Sequence, residues 1–281
     1  MGDLMQGKRG LIMGLANDKS IAYGITKALV DQGAEVALSY QGEALLKRVK
    51  PLAEGLGIDK FFECNVLDGE AMDATFAQIK AAWGSLDFLV HAIGFSDKEE
   101  LKGRYLNTSR DNFLNTMEIS CFSFTAVAKR AAELMPDGGS MVTLTYQGSQ
   151  RVIPNYNVMG VAKAALEASV KYLANDLGPE GIRVNALSAG PIRTLAASGI
   201  GDFKSMLKFN ELAAPLRRNI TLEEVGQTGL YLLSDMSLGV TGETHYVDSG
   251  YNVVGMPGFE EAQGLSELYA NQIKPNPLVK G

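Results

Sequence analysis

Tyr156 and Lys163 lie seven positions apart in a stretch with helical periodicity. Seven residues turn a helix by about 700°, roughly 20° short of two full turns, and rise about 10.5 Å. The two side chains then share a face. An ammonium group so placed bonds hydroxyls and favours negative charge developing on a phenol, which suits the tyrosine to donate or share a proton. The spacing is equally that of an amphipathic helix with an incidental tyrosine. Tyr146 ends the preceding apolar run, ten positions earlier. It either points into the same region or is an ordinary strand aromatic. Tyr23 and Lys27 form a tighter pair, Tyr-x3-Lys. That pair falls in the first helical stretch, beside the first glycine turn, and is discounted for chemistry.

A second set of small and polar residues follows the first apolar run: Gly14, then Ser20, Ile21 and Gly24. Gly14 permits a tight turn where a side chain would block a pyrophosphate, and the helix after it offers free N–H groups and a positive dipole end. Ser20 can cap that helix and donate to a phosphate. The spacing Gly-x5-Ser-x3-Gly is not Gly-x-Gly-x-x-Gly, so a tight turn before an ordinary capped helix is the plain alternative. Where the second strand ends, Gln41 is neutral. It bonds a ribose hydroxyl but gives no positive partner to a 2′-phosphate, which favours NADH. Asn65, ending the third strand, can bond an adenine amino group or simply make a turn. Gly94, ending the fourth, lets backbone approach a cofactor closely.

These residues need a frame that gathers strand ends. Apolar, β-rich runs at 8–14, 35–40, 61–65, 86–93, 140–146, 183–188 and 244–248 alternate with amphipathic stretches at 21–32, 42–56, 69–83, 109–135, 156–177 and 222–234. Strand, helix, strand in succession implies right-handed crossovers and a parallel sheet, and near-continuous apolar runs suit strands covered on both faces. The expected fold class is α/β: one Rossmann-type domain over 1–281, a doubly wound parallel sheet of about seven strands with helices on both faces. No repeat or linker suggests a second domain. Irregular segments at 97–108 and 191–215 follow strand C-termini. The latter is read as a substrate-binding lid, and 256–281 as a C-terminal tail. On the lid, Leu195, Ala196, Ala197, Ile200, Phe203, Met206 and Leu207 supply an apolar inner face, with Phe203 and Met206 taken as substrate contacts. Lys204 and Lys208 share a helical face at i, i+4.

The 281 residues are 46% hydrophobic and 21% charged, which fills a large core and is unlike a disordered chain. Twenty-six basic against 32 acidic side chains give a net charge of −6, which argues against nucleic-acid binding. Cys64 and Cys121 fit buried free thiols. With His91 and His245 they are scattered singly, so no metal site is expected. No Gly-x-Ser-x-Gly elbow is present. No apolar stretch approaches the ~18 residues of a membrane span, and the short run 11–13 after Lys8 and Arg9 makes no signal peptide. A cytoplasmic location is expected.

Together the motifs resemble the divergent short-chain dehydrogenases/reductases, and among them the bacterial NADH-dependent enoyl-[acyl-carrier-protein] reductase family, over nearly the whole chain. The resemblance is carried by Gly14 with Ser20-Ile21-Ala22-Tyr23-Gly24, by His91-Ala92-Ile93-Gly94-Phe95, by Tyr146 with Ile153-Pro154-Asn155-Tyr156 and Lys163, by Arg183-Val184-Asn185 with Ser188-Ala189-Gly190-Pro191-Ile192-Arg193-Thr194, and by Asp248 with Gly250. Tyr-x6-Lys in place of Tyr-x3-Lys discriminates most. The resemblance implies cofactor contacts at Gly14, Ser20, Ile21, Gln41, Val66, Ile93, Lys163, Ile192 and Thr194. It implies a hydrogen bond from Tyr156 to a thioester carbonyl, with Tyr146 beside it. Asn65 departs from the usual aspartate, keeping an acceptor for adenine but losing a charge. Ser96 stands where alanine is common, near the acyl site.

By the same resemblance, NADH reduces a trans-2-enoyl thioester of acyl carrier protein in fatty acid elongation, with Tyr156 stabilising the enolate oxygen. A two-fold symmetric homotetramer is also implied. Lys204 and Lys208 either meet the acidic carrier protein or form a solvated face. Three other readings compete. A ketoacyl or alcohol dehydrogenase would want Tyr-x3-Lys on the catalytic helix, where Gly160 stands. A non-catalytic dinucleotide-binding regulator would have no reason to keep Tyr146, Tyr156 and Lys163 together. The glycine turn opposes a purely structural oligomerisation module.

Overall fold

Runs of apolar residues with no polar face can only be satisfied between two helical layers, and that is where they sit. The computed structural model describes residues 2–194, 203–256, 258, 263–266 and 270. Its strands are β1 (Arg9–Met13), β2 (Glu35–Tyr40), β3 (Lys60–Glu63), β4 (Phe88–His91), β5 (Gly139–Thr145), β6 (Ile182–Ala189) and β7 (Thr244–Val247). All pair in parallel in the order β3-β2-β1-β4-β5-β6-β7. The chain therefore winds outward from β1 in one direction, then returns past it to β4. Met13 pairs with His91 across this reversal. A crevice opens beyond the strand C-termini at such a point.

Strand periodicity divides the core in two. Leu11, Met13 and Leu89 face one layer, built on helices α3 (Gly69–Trp83), α5 (Ser123–Ala132) and α6 (Asn157–Leu177). Ile12, Phe88 and Val90 face the other, built on α1 (Ile21–Asp31), α2 (Glu43–Glu54) and α8 (Leu222–Leu233). Phe88 and Phe124 are wholly buried, each such side chain contributing about 1.5–3 kcal/mol. Gly24 belongs to this packing rather than to a phosphate loop. A Cβ on it would come within 2.5 Å of the Leu222 carbonyl oxygen, so α1 and α8 cross at backbone distance.

Three expectations need correction. The stretch 109–135 is helical, but not as one regular α-helix. It is α4 (Arg110–Met117), a π-helical turn over Glu118–Phe122, and α5. The extra residue in that turn lets Ser120 Oγ both accept from the Phe95 amide at 2.9 Å and donate to its carbonyl at 3.0 Å. Next, α6 starts at Asn157, with Tyr156 before its first turn. Asn155 and Asn157 have left-handed φ of 59° and 36°, so regular helical counting does not extend back to Tyr156. Finally, the segment read as irregular contains a helix, α7 (Phe203–Ala213). Leu195, Ala196, Ala197 and Ile200 lie outside the described residues, as does most of the tail 256–281.

Candidate active site

A cavity of about 1020 Å³ lies along the C-terminal edge of the sheet. The residues singled out from the sequence as cofactor, catalytic or substrate contacts line it, whereas Gly24 and the lid's Leu207 do not. One end is formed by Gly14, Ser20 and Ile21 after β1. Gln41 follows β2, Asn65 and Val66 follow β3, and Ile93, Gly94 and Ser96 follow β4. Tyr146, Tyr156 and Lys163 are next, from the β5–α6 region. Ile192, Thr194, Phe203 and Met206 close the far side.

The first end is a backbone cradle. Gly14 has φ +93°, and a Cβ there would overlap the Ala92 carbonyl, so neither the turn nor the contact tolerates a side chain. The N-terminus of α1 opens here with no side-chain cap. This corrects the expectation for Ser20, whose hydroxyl donates to the Asn17 carbonyl at 2.6 Å instead of capping the helix. The uncapped N–H groups stay available to an anion. Asn65 makes the turn of its plainer reading, its Oδ1 accepting from the Leu67 amide at 3.1 Å, while also lining the cavity. A cradle without side chains, an uncapped helix end and an elongated cavity fit a dinucleotide.

At the other end the groups are side chains. The rings of Tyr146 and Tyr156 meet edge to face, centroids 5.1 Å apart and planes at 75°. Tyr156 is 7% exposed, and burial pushes its phenol far above the ordinary value, helped by Tyr146 and Glu167. Burial likewise raises Tyr146, with Tyr251 and Asp248 adding to it. Both phenols are therefore neutral hydrogen-bond donors. Lys163 Nζ donates to the Leu144 carbonyl at 2.8 Å, and burial lowers its pKa to about 8. A Cβ on Gly94 would stand 3.6 Å from that nitrogen. One of the three donors of the ammonium is thus spent on β5, and Lys163 lines the cavity.

Glu167, one turn beyond Lys163, was not singled out from the sequence. Its buried carboxylate accepts from Thr145 Oγ1 at 2.7 Å, Ser149 Oγ at 2.5 Å and Gln150 Nε2 at 2.5 Å. It ties the segment carrying Tyr146 to the helix carrying Lys163. A glutamate inside an amphipathic pattern carries no local signal of this. His91 is also buried, between Thr143 Oγ1 at 3.1 Å and Ser123 Oγ at 2.9 Å; burial, then Lys163, lowers its pKa to about 3. It supports β4 as a neutral ring. Ser96 is tied to Thr116 Oγ1 at 2.9 Å and to Asn112. Gly160, at the Tyr-x3-Lys position, packs so that a Cβ would lie 2.7 Å from the Gly148 carbonyl oxygen, which leaves no room for a lysine. The discounted Lys27 pairs with Asp31 at 2.5 Å, and neither it nor Tyr23 lines the cavity.

A family model described as enoyl-(acyl carrier protein) reductase matches residues 14–252. An enoyl-[acyl-carrier-protein] reductase [NADH] of Rhizobium meliloti is 66% identical over 260 residues, covering 92% of this chain and 97% of that protein. The solved structure of the Anaplasma phagocytophilum reductase in complex with NAD superposes with a TM-score of 0.89 at 60% identity, over 92% of this chain and 98% of that one. The Bacillus cereus reductase, solved with NADP+ and indole naphthyridinone, gives a TM-score of 0.89 at 52% identity, over 91% of this chain and 100% of that one.

Proposed function

Since this chain belongs to the NADH-dependent enoyl-[acyl-carrier-protein] reductases, a divergent branch of the short-chain dehydrogenases/reductases, we propose that its cavity reduces trans-2-enoyl thioesters with Tyr156 as the donor to the thioester oxygen. The observation that carries this reading is the edge-to-face tyrosine pair, buried and neutral, beside an ammonium group in the same cavity as the glycine cradle. When bound, the reduced nicotinamide supplies the hydride to Cβ. Charge then gathers on the thioester oxygen, the Tyr156 hydroxyl stabilises it as it forms, and a proton taken up at Cα, ultimately from solvent, completes the saturated thioester. Tyr146 packs against the Tyr156 ring and holds its direction. Lys163 gives its two unused donors to the nicotinamide ribose. Gly14, Ser20, Ile21, Gln41, Asn65, Val66, Ile93, Gly94, Ile192 and Thr194 hold the rest of the dinucleotide. Ser96, Phe203 and Met206 border the acyl chain.

The physiological substrate in this reading is carried by acyl carrier protein, in fatty acid elongation. Lys204 and Lys208, exposed on α7 at the cavity mouth, are its docking charges, with Lys208 also 3.4 Å from Glu211. Exposed Leu114, Phe122, Val161 and Tyr172 on α4 to α6 support a homotetramer. No helix among the described residues is long and apolar enough to cross a membrane, and the cytoplasm is the compartment proposed. The deciding experiment follows NADH oxidation with crotonyl thioester, with acetoacetyl thioester and without substrate. Turnover on the crotonyl compound alone supports the reading, and turnover only on the acetoacetyl compound refutes it.

A further inference from the structure

Glu63 ends β3 opposite Tyr40 of β2, and Tyr40 and Gln41 line the cavity. Its Oε1 accepts from the Gly42 amide at 3.2 Å. Gly42, at φ +75°, is the residue before the first turn of α2, and α2 has no side-chain cap of its own. A carboxylate of the protein thus occupies an amide at a helix N-terminus, where backbone donors and the dipole favour an anion. Glu43 follows in the first turn. The nearby lysines are engaged elsewhere: Lys47 with Glu43 at 3.6 Å and Lys60 with Asp59 at 3.0 Å. The acidic field reaches the strand end itself, since after burial the Glu63 and Glu43 charges are what raise the Tyr40 phenol.

In a parallel sheet of this order, the end of the second strand is where a dinucleotide's adenosine ribose lies. The shared fold carries either dinucleotide, as the Bacillus cereus relative solved with NADP+ illustrates, so selection has to come from side chains at this spot. We propose that Glu63 selects the unphosphorylated dinucleotide. Its carboxylate takes the Gly42 amide that a ribose 2′-phosphate would use, and it repels that phosphate. Gln41 contributes neutrality; Glu63 contributes the exclusion. The inference rests on the placement of the adenosine end given above and extends it to discrimination.

The test measures dissociation constants for NADH and NADPH by titration calorimetry on the full-length protein, on E63Q and on E63A. E63Q removes the charge while its amide oxygen still accepts from Gly42; E63A also frees the amide. The unaltered protein binds NADPH more weakly than NADH. E63Q tightens NADPH about tenfold, as expected for one unit charge removed a few ångströms from a phosphate in a solvent-exposed setting. NADH shifts by less than about threefold. E63A gains at least as much for NADPH. Equal constants for the two cofactors in the unaltered protein, or parallel shifts of both cofactors in the variants, would overturn the proposal. Because Glu63 is exposed, both substitutions leave the core untouched. Binding is read without turnover, so a failure of the enoyl reductase reading would show in the thioester assay while Glu63 is still scored here.

Discussion

At the end of the cavity assigned to the dinucleotide, the lining comes from the tips of β1, β2, β3 and β4, and the closest approach is to backbone at Gly14 and the start of α1. At the thioester end it is side chains drawn from β5, α6 and α7, with phenols and an amine held far from their ordinary ionisation. The first end works by shape: Gly14 and the uncapped start of α1 expose donors that need no tuning. The second works by desolvation, which keeps Tyr156 and Tyr146 protonated and makes Lys163 easy to neutralise. Changes at the first end should therefore show in cofactor binding, and changes at the second in turnover.

The sharpest break of that contrast is Tyr156→Phe. We expect kcat to fall about 10²- to 10³-fold, the usual cost of one oxyanion donor, with the circular-dichroism melt unchanged. Activity equal to the parent would remove Tyr156 from the mechanism.

Lys163 straddles the two ends. Lys163→Ala should weaken NADH binding and lower turnover together, each by roughly 10- to 100-fold, the range for a charge-assisted hydrogen bond. Unaltered cofactor affinity would count against the role. Its titration adds a pH signature. The folded pKa of about 8 lies below the 10.5 of a free lysine, so between them the unfolded chain binds more protons and stability rises with pH. Below about 8 the buried charge is a cost to the fold. Relative to Lys163→Met, the cofactor-free protein should gain melting temperature across that window, while NADH affinity falls as the ammonium is lost.

Gly14→Ala tests the cradle. A methyl group against the Ala92 carbonyl at positive φ should cost about 1–3 kcal/mol of stability and raise KM for NADH about tenfold, leaving kcat at saturation within a few-fold. A fall in kcat with KM unchanged would erase the distinction between the ends. The smallest effect is expected outside the cavity. Replacing Lys204 and Lys208 by Glu should slow reduction of carrier-linked substrate several-fold, with the effect shrinking at high salt, and leave crotonyl thioester untouched. Equal rates on both substrates would dispose of the docking role.

How much of this was legible along the chain depended on range. Gly14 and the first helix are a local pattern, and so are the seven apolar runs, because strand and helix periodicities are written residue by residue. Tyr156 and Lys163 were found by counting along a helix, and both do line one cavity, although Tyr156 stands before the helix begins. The turn over Glu118–Phe122 was not legible, since the partner of its Ser120 is a loop 25 positions away. Neither was Glu167, whose three donors come from a different strand and turn.

The order of elements, the two-layer cover of a parallel sheet and the residue types at each strand end follow from the sequence by itself, because hydrophobic period and turn chemistry act between near neighbours. Which donors are spent and which stay open was decided by tertiary structure alone. Ser20 turned to Asn17, Lys163 to Leu144, and the Gly42 amide to Glu63. Burial, which sets the charge state of Tyr156 and Lys163, exists only once distant segments have closed over them.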